Sequence, residues 1–389
     1  MLPGCLTPRL HETLVRLSTT QPSFAKASAE LAWHTGTTVH ADTARRRTEA
    51  AGAVLVRQET SEAARILRDH PDPPAGPDTL IFSVDGAMVP LVGGQWKEVR
   101  TLAVGAVQPP VAGRDGPVIH TTDLSYFSRL TESSTFGALA LPELHRRGIE
   151  TARRVGAVVD GATWCQGFID YHYPEAVRIL DLPHAAEHLT AIGQTPTPGG
   201  PLLTPAEQQR LRDDLRANGP TGVLAELRPL VTPFPPDAEV QTHLTYLETR
   251  QAQLQYPQFV ADGWPIGSGM VESANKLVVE DRLKGAGMHW DEANVNPMLA
   301  LRNAFCNERW DEAWTVIEQG LRTQVVVQRQ ARRLQRTPPS TSPPVSPPPM
   351  CEAPPPPVAP PLVEPEVKPP HPWKRAWSIR RQREIADAA

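Results

Sequence analysis

Three short apolar runs in this chain each stop at an aspartate, and that recurrence restricts the fold more than any other feature. Leu80-Ile81-Phe82-Ser83-Val84 ends at Asp85-Gly86, Val155-Gly156-Ala157-Val158-Val159 at Asp160-Gly161, and Val177-Arg178-Ile179-Leu180 at Asp181. Short apolar runs bounded by turn residues read as buried strands. Residues 96–107 read as one or two further strands, and residues 130–150 and 164–171 as helices. Strands come first in a run and then alternate with helices, which predicts an α/β fold built on a mixed sheet.

Helical pattern flanks that centre. Residues 8–70 read as helical, broken at His34-Thr35-Gly36-Thr37-Thr38 and resumed by a stretch that carries Arg45, Arg46 and Arg47. Helix, glycine-containing turn and arginine-bearing helix predict a helix-turn-helix-like DNA-binding region over 1–75; the alternative is a solvated arginine face. Residues 191–262 read as a helical insertion. It divides the α/β region into 76–190 and 263–336, the second part holding a Gly267-Ser268-Gly269 turn and a helix with Glu272. Between Pro338 and Pro372, 17 of 35 residues are proline. Residues 337–389 therefore read as a disordered, proline-rich linker and a basic tail around Trp373, Lys374, Arg375 and Trp377. That tail is either a solvated end or a non-specific DNA contact.

Composition narrows the class. The 389 residues suffice for two or three domains, and 40% hydrophobic content allows a sizeable core. A net charge of -4 argues against a small basic nucleic-acid module, though charge can be gathered along one groove. Cys5, Cys165, Cys306 and Cys351 are too scattered for a zinc knuckle or a disulfide framework, as in a reducing cytoplasm. The first residues lack the pattern of a signal peptide, and no apolar run reaches the ~18 residues of a membrane span. The expectation is a soluble, cytoplasmic protein with no membrane partner.

The acids suggest chemistry. Loops beyond the carboxyl ends of strands present side chains from a rigid sheet, so Asp85, Asp160 and Asp181 are candidate ligands. Carboxylates gathered there repel one another unless a divalent cation joins them, and hard oxygen donors favour Mg²⁺ or Mn²⁺. Glu272 would complete a site for two ions suited to in-line phosphoryl displacement. Lys276, Arg282 and Lys284 follow closely and could neutralise a nucleic-acid backbone. Taken singly, each Asp-Gly is an ordinary turn and Glu272 an ordinary helix N-terminal charge.

Four segments carry a resemblance to a known family: SVDGAMVP with a following WKEV, VVDGATW, ILDLPHAAEHL, and GWPIGSGMVESANKLVVEDRLKGAGMHW followed by LRNAFCNERWDEAW. Over roughly residues 5–320 the chain resembles bacterial insertion-sequence transposases of the DDE type, in the Kra-type branch related to Mutator-like transposases. The resemblance implies an RNase H-like core, two Mg²⁺ or Mn²⁺ ions, and a catalytic and metal-binding triad of Asp85, Asp160 and Glu272. It further implies DNA partners at transposon ends and target, and a homo-oligomer on DNA. Asp181 is the alternative second ligand, and His184 matches the histidine of an Asp-x-x-His signature. Members of that branch commonly begin with a cysteine-bearing, zinc-ribbon-like segment, of which only Cys5 is present. This implies an N-terminally truncated copy or a misassigned start. Two other readings stay open: a non-catalytic DNA-binding remnant, and an RNase H-like nuclease without strand joining.

Overall fold

The computed structural model describes residues 6–113 and 116–336. Its centre is a five-stranded sheet built from β1 (Thr79–Pro90), β2 (Trp96–Val107), β5 (Thr121–Arg129), β6 (Arg154–Val159) and β7 (Val177–Leu180). A small hairpin of β3 (Val111–Gly113) and β4 (Gly116–Val118) interrupts the series. The order is β5-β2-β1-β6-β7, with β1-β2 and β2-β5 antiparallel and β1-β6 and β6-β7 parallel. The fold is thus α/β with a mixed sheet, consistent with an RNase H-like core.

Two expectations about strands need correction. β1 does not stop at Asp85. It stays paired with β2 through Pro90, while its parallel neighbour β6 makes its last pair at Phe82↔Ala157. Gly86 is therefore a strand residue rather than a turn. β5 was not anticipated, because its first half is polar and exposed and only Ser125–Arg129 are buried.

Helices cover both faces. α4 (Ser133–Arg146) and α5 (Thr163–His172) pack on one face through Phe136, Phe168 and Ile169, against Phe82, Val84 and Leu102. The opposite face, reached by the alternate residues Ala87, Val89, Val99 and Ala103, is covered by residues 271–299. Between β7 and those residues run α6 (Leu182–Gln194), α7 (Pro205–Asn218), α8 (Pro220–Val231), α9 (Glu239–Thr249) and α10 (Tyr256–Ala261). They form one core, including Leu189, Leu211, Leu227 and Leu244, that continues into Ile179 and Leu180 of β7. The helical insertion thus begins with α6, before residue 191.

The N-terminal helices are α1 (Pro8–Thr20), α2 (Phe24–Thr35) and α3 (Ala41–Asp69). Gly36 ends α2 with φ 64°, as a left-handed cap should. α3 is a single helix of 29 residues that lies along α13 (Glu292–Cys306) and α14 (Trp310–Arg336). A β-carbon on Gly52 would sit 2.0 Å from the carbonyl oxygen of Pro297, so the backbones of α3 and α13 touch there. Val15, Ala51, Val54 and Leu55 share a core with Ala300, Leu301, Trp310 and Trp314. No helix among the described residues is long and apolar enough to cross a membrane. The proline-rich stretch and basic tail lie outside the described residues.

Candidate active site

Asp85 sits on β1 just beyond the last pairing with β6, so its side chain borders the gap that β6 leaves. Its Oδ1 accepts the Gly86 amide at 2.7 Å and its Oδ2 the side-chain amide of Asn275 at 2.8 Å. Burial pushes its carboxyl above the usual range; the nearby charges of Asp160 and Glu272 add to that, and His184 works against it. Among the described residues, no three or more His, Cys, Asp or Glu side chains are grouped to hold a metal ion.

Asp160 follows the last residue of β6 and is fixed by its own turn. Its Oδ1 accepts the Ala162 amide at 2.9 Å and the Cys165 thiol at 3.2 Å. Burial and the Asp160 charge push that thiol far up, so it stays protonated and donates. Gly161 has φ 79°, and a β-carbon there would lie 2.2 Å from the Tyr246 hydroxyl. The Asp-Gly pair is required by a close approach from the insertion as well as by the turn.

Asp181 has a different task. Its side chain is fully buried and caps α6, Oδ2 accepting the His184 amide at 3.1 Å and the His184 ring at 2.7 Å. Oδ1 accepts the Ser268 amide at 2.6 Å, and the Leu182 amide donates to Ile266 at 3.0 Å. Burial works to raise its pKa, but the hydrogen bonds from His184 and Ser268 prevail and hold it below the usual range. His184 is lifted to about 9 mainly by that bond and is cationic at neutral pH. Both oxygens of Asp181 thus tie the end of β7 to the turn that leads to Glu272.

Glu272 stands exposed in the first turn of α11 (Gly269–Ala274), with Ser268 Oγ 3.5 Å from its Oε1. The loop before it is anchored by Trp264, which is buried against β6. A β-carbon on Gly156 would lie 2.6 Å from its ring, and Arg154 stacks on the other side at 4.5 Å. After α11 the chain widens into a π-helical segment, Asn275–Glu280, before the short α12 (Asp281–Leu283). Arg302 of α13 donates to the carbonyls of Leu277 and Val278 and supports this irregular turn. π-turns inside helices are frequent at functional sites. Here the segment begins at Asn275, whose Oδ1 is buried without a partner beside Asp85.

The basic residues separate into different roles. Lys276 is exposed one turn after Glu272. Lys284 is paired with Glu280 at 2.9 Å. Arg45 is held by Asp42 at 2.6 Å and Glu49 at 3.0 Å, and Arg46 is 3.1 Å from Asp42. Arg47 bears on His11, whose pKa falls to about 4 through burial and that charge. Arg282 corrects the expectation of a DNA contact. It is 1% exposed, donates to the Ser18 carbonyl at 2.9 Å, and lies over the rings of Phe24 and Trp290, so it cannot reach a phosphate at the surface.

Residues missed from sequence include Asn275, Ser268, Cys165, Tyr246 and Arg250. Asn275 and Ser268 stand within three or four residues of Glu272, and Cys165 five after Asp160, so proximity was an available signal. Tyr246 and Arg250 are distant in sequence from Asp160 and Gly161, whose carbonyls they bond.

No family model matches the chain, and no curated relative does. Among solved structures, a strand transfer complex of the Drosophila P element transposase aligns over 97% of this chain and 92% of that one. The identity is 11% and the TM-score 0.26, a likeness too slight to argue from.

Proposed function

We propose that the chain is an insertion-sequence DNA transposase that cleaves transposon ends and transfers the strands, with Asp85, Asp160 and Glu272 as its metal-binding acids. The observation that carries this reading is that Asp85 of β1 and Asp160 after β6 stand on neighbouring parallel strands, while Asn275, three residues after Glu272, donates to Asp85. Acids gathered in this way would be relieved by a cation. The donor set fits hard divalent ions, since it offers three carboxylates and the unpartnered amide oxygen of Asn275. Two Mg²⁺ or Mn²⁺ ions would supply Lewis-acid stabilisation to the attacking and leaving oxygens of a phosphodiester.

The chain's own groups do the positioning. β1 holds Asp85, which Asn275 orients, and the turn after β6 carries Asp160. Asp181 holds the turn that presents Glu272, and its partner His184 adds a positive charge next to the acids. Exposed Lys276 is placed to meet the phosphate backbone of a DNA partner. Strand cleavage at two ends implies a homo-oligomer on DNA.

The test is nicking and joining of a duplex that carries the element's terminal repeats, in Mg²⁺ or Mn²⁺, with Asp85→Asn and Glu272→Gln alongside. Both variants should lose cleavage by about 10³-fold or more while still binding DNA. Equal cleavage by Asp85→Asn removes that residue from the mechanism. Hydrolysis without joining would assign a nuclease, and binding without cleavage a non-catalytic remnant.

A further inference from the structure

The turn that carries Asp160 is held from the helical insertion. Tyr246, on α9, donates its hydroxyl to the backbone carbonyl of Asp160. One helical turn later, Arg250 donates Nη2 at 2.7 Å and Nε at 3.2 Å to the carbonyl of Gly161. The Arg250 guanidinium lies 3.8 Å over the Tyr246 ring, and the ring of His188, from α6, stacks on it at 3.8 Å and 10°. His188 is in turn hydrogen-bonded to His243 at 2.9 Å. Two consecutive carbonyls that β6 leaves unpaired are thus taken by two side chains one turn apart on α9. Gly161 allows this only because it has no β-carbon to meet the Tyr246 hydroxyl.

We propose that Tyr246 and Arg250 are positioning residues, a clamp through which the insertion sets the orientation of Asp160 for its metal. This rests on the reading of Asp160 as a metal ligand. The physical reason is that Asp160 lies one residue past the sheet, where strand pairing no longer fixes the backbone, and a ligand must be held to within about 0.5 Å. Cys165 holds the carboxylate from below, while Tyr246 and Arg250 hold the peptide from the side of the insertion. Neither residue is expected to touch the reacting atoms.

The experiment uses the full chain with Tyr246→Phe, Arg250→Gln, Arg250→Lys and Asp85→Asn. Two quantities are read: amide hydrogen exchange over residues 161–165 in the presence of chelator, and Mn²⁺ affinity by the signal of free Mn²⁺. Tyr246→Phe and Arg250→Gln should speed exchange in that segment at least tenfold and weaken Mn²⁺ binding about tenfold. Exchange in β1 and β2 should stay unchanged, and Arg250→Lys should recover part of both effects. Unchanged exchange in 161–165 overturns the clamp. Faster exchange with undiminished Mn²⁺ affinity overturns its role at the metal. Failure of the underlying reading looks different: Asp85→Asn would then bind Mn²⁺ as the wild type does.

Discussion

Asn275 donates its side-chain amide to Asp85 across 2.8 Å, so the helix that carries Glu272 also orients the first acid. Asn275 opens the π-helical segment, and its side-chain oxygen is buried without a partner. Loss of that bond should leave the fold intact and loosen the carboxylate, so Asn275→Leu should slow cleavage by about 10–100-fold. Asn275→Asp should act through pH. The Asp85 carboxyl is already high through burial and its acidic neighbours, and another carboxylate raises it further. Its ionised form is lost as pH falls through that value, so the acid limb of the pH–rate profile should move to higher pH. An unmoved limb would separate Asn275 from Asp85.

Gly161→Ala places a β-carbon against Tyr246 at a φ of 79°. Strain alone should cost about 1–3 kcal/mol. The expected result is a lowered Tm together with a loss of cleavage greater than the stability change explains. Cleavage that falls only in step with Tm would argue that the turn has no special role.

His11 gives the protein an acid-sensitive joint. It is buried against the edge of Trp314, at 5.5 Å, and neither ring nitrogen has a partner. Its pKa falls from 6.5 to about 4 through burial and then Arg47. The depressed value means that the unfolded chain takes up a proton first as pH falls. Stability from this group is therefore complete above about pH 6.5 and is lost between there and about 4. The loss is on the order of 2–3 kcal/mol. Denaturant midpoints of wild type and His11→Gln should diverge near neutrality and converge in that window.

Gly52→Ala forces a methyl group into the Pro297 carbonyl, 2.0 Å away. The helices must part, at about 1–3 kcal/mol, which a thermal melt will register. Removal of residues 1–70 should go further and prevent folding of the remainder, because Ala300, Leu301, Trp310 and Trp314 would lose their cover. A soluble, cooperatively melting fragment would contradict the shared core.

The basic residues near Glu272 should divide cleanly. Lys276→Ala should weaken DNA binding and lower the salt slope by about 1, with Tm unchanged. Arg282→Met should change Tm and leave the salt slope as it was, since its guanidinium is buried over two aromatic rings.

The sheet was legible because three of its five strands carry a short apolar run that meets an aspartate, and a fourth lies inside residues 96–107. β5 escaped because it pairs at an edge and buries only its second half. Asp85 was placed on the right strand and given the wrong surroundings, since Asp-Gly also occurs inside a strand whose neighbour has ended. Asp181 looked equivalent to Asp160 in sequence. What separates them is the set of donors each meets: those on Asp181 come from His184 nearby and from Ser268, which is remote in the chain. Arg282 shows the same limit, because charge in sequence carries no record of burial. The Tyr246 and Arg250 clamp had no signal at all, as each residue touches backbone far away and any fold partner could supply such a bond.

The contact of α3 with α13 and α14 has a consequence for biosynthesis. α3 leaves the ribosome more than two hundred residues before the helices that cover its apolar side. Throughout that interval Ala51, Val54 and Leu55 lack their native neighbours, and the delay favours chaperone capture of the nascent chain. Final closure of the molecule must wait until translation has passed α14.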